Sequence, residues 1–287
     1  MREKKPIVVG IGELLWDIFP TEKKAGGAPI NFVYHSSALG AEGYAISSVG
    51  NDDLGTEILK ELDDNNIQHC IEVTSHPTGN VMVTLNNGIP SYTITEGVAW
   101  DYIPVIQQAI DIVKQADAIC FGTLAQRSLV SRDSIASLLS YAPKDALLFF
   151  DINIRQHYYS KELIEEMLSK ANVFKINDEE LEIVRTMFGL EGSTDEVCQW
   201  FIKVYSLRYV ILTAGESFST IYSEAETLSI STPKVEVADT VGAGDSFSGA
   251  FIYSILTGKS LREAHEAAVE IAAFVCTQRG AWPPYSK

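Results

Sequence analysis

The stretch that most constrains this chain is Asp239-Thr240-Val241-Gly242-Ala243-Gly244-Asp245-Ser246-Phe247, near the C-terminal end of its 287 residues. Gly242, Ala243 and Gly244 are small enough for the backbone to turn tightly and approach a ligand closely. Phe247, Ala250, Phe251, Ser254 and Ile255 then recur at three- and four-residue steps, which predicts an amphipathic helix. A glycine-rich loop entering a helix presents unpaired N–H groups and the positive end of the helix dipole, so the pattern reads as an anion site. Asp245 stands where it would face the anion. A carboxylate beside a phosphate cradle suits proton abstraction from an attacking hydroxyl. The plainer alternative is a glycine turn in which Asp245 caps the helix.

Charge narrows what this anion site serves. The chain has 22 Lys and Arg against 38 Asp and Glu, a formal net charge of −16. Such a surface lacks the basic footprint of a nucleic-acid or anionic-membrane binder. A nucleotide would therefore be held by local backbone dipoles. Cys70, Cys120, Cys198 and Cys276 are widely spaced with no Cys-x-x-Cys pair, which predicts free thiols in a reducing, cytoplasmic setting. The basic start of the chain is followed by an apolar run broken by Glu13 and Asp17, so neither a signal peptide nor a membrane span is expected.

Along the chain, short apolar strands alternate with amphipathic helices. Strands are expected at Ile7–Ile11, Ala45–Val49, Ala118–Phe121, Leu147–Asp151, Val173–Ile176 and Tyr209–Thr213, with a more polar one over Glu13–Pro20. Helices are expected from Pro29 to about Gly40, over Gly55–Asn65, and near Pro104–Ala116, Ser131–Ser140, Lys161–Lys170, Glu179–Met187 and Thr194–Tyr205. Two more, near Gly244–Thr257 and Leu261–Thr277, close the chain. This alternation predicts an α/β fold, a doubly wound, mostly parallel sheet flanked by helices. Thr78–Ile94 breaks the pattern: Val81, Val83 and Leu85 alternate with Met82 and Thr84, Asn86-Asn87-Gly88 supplies a turn, and Tyr92-Thr93-Ile94 returns as a hairpin. With about residues 13–24 it is expected to form a small β-sheet lid on a single domain spanning 1–287. Trp100 and Trp200 read as packing residues and His265 as an exposed helix residue. Asp17, Asp151–Arg155, Asn177–Glu180 and Thr213–Gly215 follow strands, where ligands of open α/β sheets bind.

Two segments carry a family resemblance. Asp239–Phe251 resembles the C-terminal signature of the ribokinase/PfkB family of carbohydrate kinases. Gly26-Gly27-Ala28-Pro29-Ile30-Asn31-Phe32 resembles its N-terminal signature in the fructokinase-like form. The resemblance covers nearly the whole chain and implies the ribokinase-like fold and ATP-dependent sugar phosphorylation. It implies Asp245 as general base, with Gly242, Ala243 and Gly244 as anion hole. Asp17, Gly26, Gly27 and Asn31 match sugar-binding positions, and Arg155 matches an Asp-x-Asn-x-Arg segment that approaches phosphates or sugar. Asn177 and Glu180 match a motif that orders water around Mg2+ and the phosphates. Thr213 and Gly215 would line the nucleotide. Asp239, the Val241 carbonyl and the loop around Gly280 match a monovalent-cation site, with K+ the expected ion, and a homodimer paired through the lid is expected.

Other readings compete with this one. A dinucleotide fold fails because Gly10-x-Gly12 lacks its third glycine, with Leu15 there instead, and no Gly-x-x-x-x-Gly-Lys loop occurs. A catalytically silent sugar sensor on the same scaffold is opposed by the intact Asp245 and glycine loop. For the acceptor, no Lys or Arg occurs from Glu61 to Val113, which disfavours a charged sugar, since a buried anion needs a cation. Lys23, Lys24 and Arg155 weaken that argument. Fructose is the expected acceptor, ahead of ribose-like neutral sugars and then a sugar acid such as 2-keto-3-deoxygluconate.

Overall fold

Ile7–Ile11 carries no polar side chain and forms a strand, β1, buried along its full length. An unbroken apolar run suits a parallel strand covered on both faces. The computed structural model, which describes residues 5–86 and 89–285, builds such a sheet around it. There follow β2 (Leu15–Ile18), β3 (Lys23–Gly26), α1 (Ala28–Leu39), β4 (Glu42–Gly50), α2 (Asp53–Asp64) and β5 (Gln68–Thr74). Next come β6 (Gly79–Asn86), β7 (Ile89–Ile94), α3 (Gln107–Val113), β8 (Ala118–Phe121), α4 (Leu129–Leu139), β9 (Leu147–Asp151) and α5 (Lys161–Lys170). The chain continues through β10 (Val173–Asn177), α6 (Asp178–Phe188), α7 (Thr194–Tyr205), β11 (Tyr209–Ala214), β12 (Phe218–Tyr222), β13 (Thr227–Ser231), α8 (Ala243–Leu256) and α9 (Leu261–Cys276).

The main sheet runs β13-β12-β11-β10-β9-β8-β1-β4-β5. From β11 to β5 every pairing is parallel, and β12 and β13 add an antiparallel edge. Neighbouring residues of β9 serve opposite faces. Phe150 stacks between Phe121 and Phe174 at centroid distances of 5.6 Å on the face covered by α7, while Phe149 meets Phe32 of α1 on the other. A second sheet, β3-β2-β6-β7, grows directly from the end of β1, with β2 and β6 parallel and its other pairs antiparallel. The turn expected at Asn87-Gly88 lies outside the described residues.

Several expectations shift. The strand expected over Glu13–Pro20 shortens to β2, because Phe19 N–H closes a turn onto the Glu22 carbonyl at 2.9 Å with Pro20 at its second position. The helix expected from Pro104 begins only at Gln107, because the chain stays extended through Ile106, which serves as the N-cap at φ −110° and ψ 159°. The strands β5, β12 and β13 were not expected, although β13 carries a short alternation in Thr227-Leu228-Ser229-Ile230-Ser231, whose apolar residues are half-buried and polar ones exposed at the sheet edge. His265 is buried rather than exposed. It continues the Ala264, Ala268, Val269 stripe of α9 and meets the Ser219 hydroxyl through Nε2 at 2.7 Å. Burial lowers its pKa to about 4. No helix among the described residues is long and apolar enough to cross a membrane.

The Phe121–Phe150–Phe174 stack makes a specific stability claim. Phe150→Ala should cost about 3–5 kcal/mol in denaturant unfolding and Phe150→Leu markedly less. Equal costs would mean that the ring is not packed as described.

Candidate active site

The loops that leave β1, β9, β10 and β11 at their carboxyl ends open onto one cleft of about 730 Å³, closed on its far side by Leu15, Asp17, Val81, Tyr92 and Ile94 of the small sheet. The start of α8 forms its floor. Gly242 adopts φ +78°, and a β-carbon there would stand 3.0 Å from Ala281, so a side chain would be strained by conformation and crowded in space. Ala243 follows as the first residue of α8, and Gly244 and Asp245 complete its opening turn.

Asp245 is held from α1. The Asn31 Nδ2 donates to its Oδ2 at 2.7 Å, and the Asn31 Oδ1 accepts from Trp282 Nε1 at 2.8 Å. Burial, and after it the neighbouring Asp151 carboxylate, raise Asp245 to about 6 against the pull of Lys175, the Asn31 hydrogen bond and Arg155. Lys175 projects from β10 and pairs with Asp151 Oδ2 at 2.7 Å, both side chains buried. Burial works to lower the Lys175 pKa, but the Asp151 charge and hydrogen bond outweigh it and the net shift is upward.

The sugar-side residues of the signatures also converge. Asp17 of β2, half-buried, is raised to about 6 by burial, which Arg155 and Lys24 oppose. Glu13 lies fully buried just beyond β1. Its Oε1 accepts from Ala28 N–H at 3.2 Å, its Oε2 has no partner among the described residues, and burial raises it to about 7. Gly27 precedes α1 and lines the cleft; Gly26 does not, but its missing side chain leaves space beside Asp17 and Asn31. Arg155 reaches the cleft from the loop after β9.

Asn177 and Glu180 lock each other at the start of α6. The Asn177 side chain accepts from Glu180 N–H at 2.8 Å, and Glu180 accepts from Asn177 N–H at 2.9 Å and from Ile154 N–H at 2.8 Å. Both carboxylate oxygens are thus engaged, and among the described residues no group of three His, Cys, Asp or Glu converges on a metal-sized point. Such a donor set fits Mg2+ carried on phosphate oxygens and water rather than in a carboxylate cage. Thr213 lines the cleft, whereas Gly215 lies beyond β11 at φ +49° and does not. Asp239 accepts from Val241 N–H at 3.1 Å, Gly280 N–H at 3.0 Å and Lys24 Nζ at 3.4 Å. Burial works to raise its pKa, but these contacts hold it below the ordinary value. Sequence reasoning assigned no role to Glu13, Asp151, Lys175 or Trp282. Asp151 carried a signal, standing at a strand end; the others acquire theirs only from neighbours distant in sequence.

Comparison with known proteins gives this cleft its context. The model of the pfkB family carbohydrate kinases matches residues 12–287. The chain belongs to that family. This sugar kinase is 27% identical to a Pyrococcus horikoshii protein described as an uncharacterised sugar kinase, over 96% of this chain and 92% of the relative. The crystal structure of that protein superposes with a TM-score of 0.81, covering 96% of this chain and 93% of its own. A 5-dehydro-2-deoxygluconokinase of Bacillus cereus is 28% identical over 84% of this chain and 76% of its own length. A fructokinase of Xylella fastidiosa, solved with bound ATP, shares the ribokinase-like fold at a TM-score of 0.82 and 19% identity, covering 97% of this chain and 94% of its own.

The raised carboxylates bear on stability. A carboxylate whose folded pKa lies above its unfolded value stabilises the fold below the unfolded pKa and loses that contribution as pH rises through the folded one, here about 6 for Asp245. Asp245→Asn should therefore melt higher than wild type at pH 8, with the difference shrinking toward pH 5. A variant less stable than wild type at pH 8 would show that Asp245 carries no such burial penalty.

Proposed function

We propose that this pfkB-family kinase transfers the γ-phosphoryl group of ATP to a hydroxyl of a neutral sugar, with fructose the leading acceptor. The observation that carries the reading is a half-buried carboxylate, Asp245, in the opening turn of α8, beside the left-handed Gly242 and facing the cleft. In this reading Asp245 takes the proton of the acceptor hydroxyl. The N–H groups of Gly242, Ala243 and Gly244 face the charge that develops on the transferred phosphoryl group. Asp17, Asn31 and the space at Gly26 and Gly27 receive the sugar hydroxyls, with Arg155 above them. Thr213 borders the nucleotide, and Gly215, outside the cleft lining, would meet only a part of it that extends past the end of β11. Mg2+ would neutralise charge on the β- and γ-phosphates, with Asn177 and Glu180 orienting its waters.

The small sheet acts as the lid in this proposal, excluding water that would compete as acceptor. Supporting it, Leu15, Asp17, Val81 and Ile94 wall the cleft, and Gln156 Nε2 reaches the Tyr92 carbonyl at 3.0 Å across the gap. A neutral acceptor is favoured by the carboxylates Glu13 and Asp17 at the sugar end, against which Arg155 is the main cation lining the wall. Arg155 also favours a second reading, a sugar acid, and relatives here include both a fructokinase of Rhizobium leguminosarum, 24% identical, and 5-dehydro-2-deoxygluconokinases.

The test is ADP release with fructose, ribose, 2-keto-3-deoxygluconate and fructose 1-phosphate, run on wild type and Asp245→Asn. Expected are the highest kcat/KM for fructose and a loss of roughly 10²–10⁴-fold in kcat for the variant. Preference for either charged substrate would overturn the neutral-acceptor assignment, and near-normal turnover of Asp245→Asn would overturn its role as base.

Potassium belongs to the same proposal, at Asp239, the Val241 carbonyl and the Gly280 loop. Lys24 already offers an ammonium to that carboxylate, so the dependence should be partial. Replacing K+ with a bulky organic cation should lower kcat several-fold in wild type and more in Lys24→Met. Identical rates in every salt would remove the cation site.

A further inference from the structure

Trp282 has no part in the chemistry described so far. It sits six residues beyond the end of α9, half-buried, in a segment clamped along one face of α1. The Tyr34 ring stacks on the indole at 5.9 Å, the Tyr34 hydroxyl donates to the Pro283 carbonyl at 2.6 Å, and the Tyr285 hydroxyl meets His35 Nδ1 at 2.7 Å. Asn31 lies on that same face, three and four residues before Tyr34 and His35.

An indole N–H only donates, and an ionised carboxylate only accepts. The Asn31 carboxamide stands between one of each, Trp282 Nε1 at 2.8 Å and Asp245 Oδ2 at 2.7 Å. A single orientation satisfies both contacts, with the amide oxygen toward the indole and the nitrogen toward the carboxylate. Rotated by half a turn, the amide would oppose donor to donor and acceptor to acceptor. Taking Asp245 as the base, as proposed above, we infer that Trp282 is a positioning residue: its indole N–H fixes the Asn31 carboxamide so that Nδ2 holds one carboxylate oxygen of Asp245 and leaves the other for the acceptor hydroxyl.

The relay has an electrostatic consequence. The charged groups acting on Asp245 are Asp151 from β9, Lys175 from β10, Arg155 from the loop after β9 and Glu13 from beyond β1. Against the two carboxylates, the Asn31 donor is one of three contributions that favour the ionised base. An Asn31 free to turn loses that contribution, and the base then ionises at higher pH.

Trp282→Phe keeps a ring to stack on Tyr34 and removes only the N–H. Expected are a fall in kcat of about tenfold, the scale of one hydrogen bond to a charged group, KM for ATP nearly unchanged, and an upward shift of the acid limb of kcat. Asn31→Leu removes the same donor from the other end and should move the limb in the same direction. Adding Trp282→Phe to Asn31→Leu should shift it no further. Tyr285→Phe loosens the same segment without touching the relay and should leave kcat and its pH profile as in wild type. An unmoved acid limb in Trp282→Phe overturns the relay, as does an equal shift in Tyr285→Phe, which would reduce Trp282 to anchoring the segment. If Trp282→Phe proves misfolded by its melting curve, Asn31→Leu with an unmoved limb overturns the relay by itself. None of these outcomes touches the base assignment, which stands or falls with Asp245→Asn.

Discussion

The close crossing of α1 and α8 is the contact on which the rest of the site depends. At Gly249 a β-carbon would stand 2.9 Å from the Phe32 carbonyl oxygen, so the two backbones approach as only a glycine permits. The Ser36 hydroxyl lies at the crossing, its single proton shared between the Phe32 carbonyl of its own helix at 2.9 Å and the Gly249 carbonyl at 3.3 Å. One residue before Phe32 on α1 and one turn before Gly249 on α8, this approach sets Asn31 against Asp245 and so joins two segments separated by more than two hundred residues. A wider crossing would break that hydrogen bond before it disturbed the sheet.

The electrostatics of the cleft run against stability. Glu13, Asp17 and Asp245 are all raised by burial, and Asp151 escapes isolation only through Lys175. Buried carboxylates with few cations destabilise a fold unless they have a task, and such clusters mark functional sites. The fold tolerates them because their surroundings are rigid. Glu180 ties α6 to the loop carrying Arg155, and Asp52 ties α2 to Thr78 at the base of the small sheet.

The small sheet owes its place to connectivity. β2 leaves β1 at the carboxyl end of the main sheet after only three residues, so it has nowhere to go but over the cleft. β6 then pairs with β2 in parallel, and β7 completes the wall. Arg127 braces the loop behind β7, its Nε and Nη2 donating to the two Asp101 carboxylate oxygens and Nη2 also to the Thr95 carbonyl, with its plane against Trp100.

What the chain announced by itself was local. The glycines of the Gly242 loop and the apolar runs of β1, β8, β9, β10 and β11 are backbone and periodicity signals, written within a few neighbouring residues. The doubly wound sheet followed from their alternation, and so did the gathering of Asp17, Asp151, Asn177 and Thr213 at strand ends facing the Gly242 loop, whereas Asn31 entered only through the family resemblance. The tertiary structure decided the rest. Lys175 reads as one polar residue in an apolar strand until Asp151 is placed beside it. His265 reads as a surface residue until Phe247 and Ser219 close over it. Trp282 reads as a terminal aromatic until Asn31 accepts its N–H from 251 residues away. Each of these depends on a partner set by packing, and hydrophobic periodicity records which face a residue takes but not which side chain it will meet there.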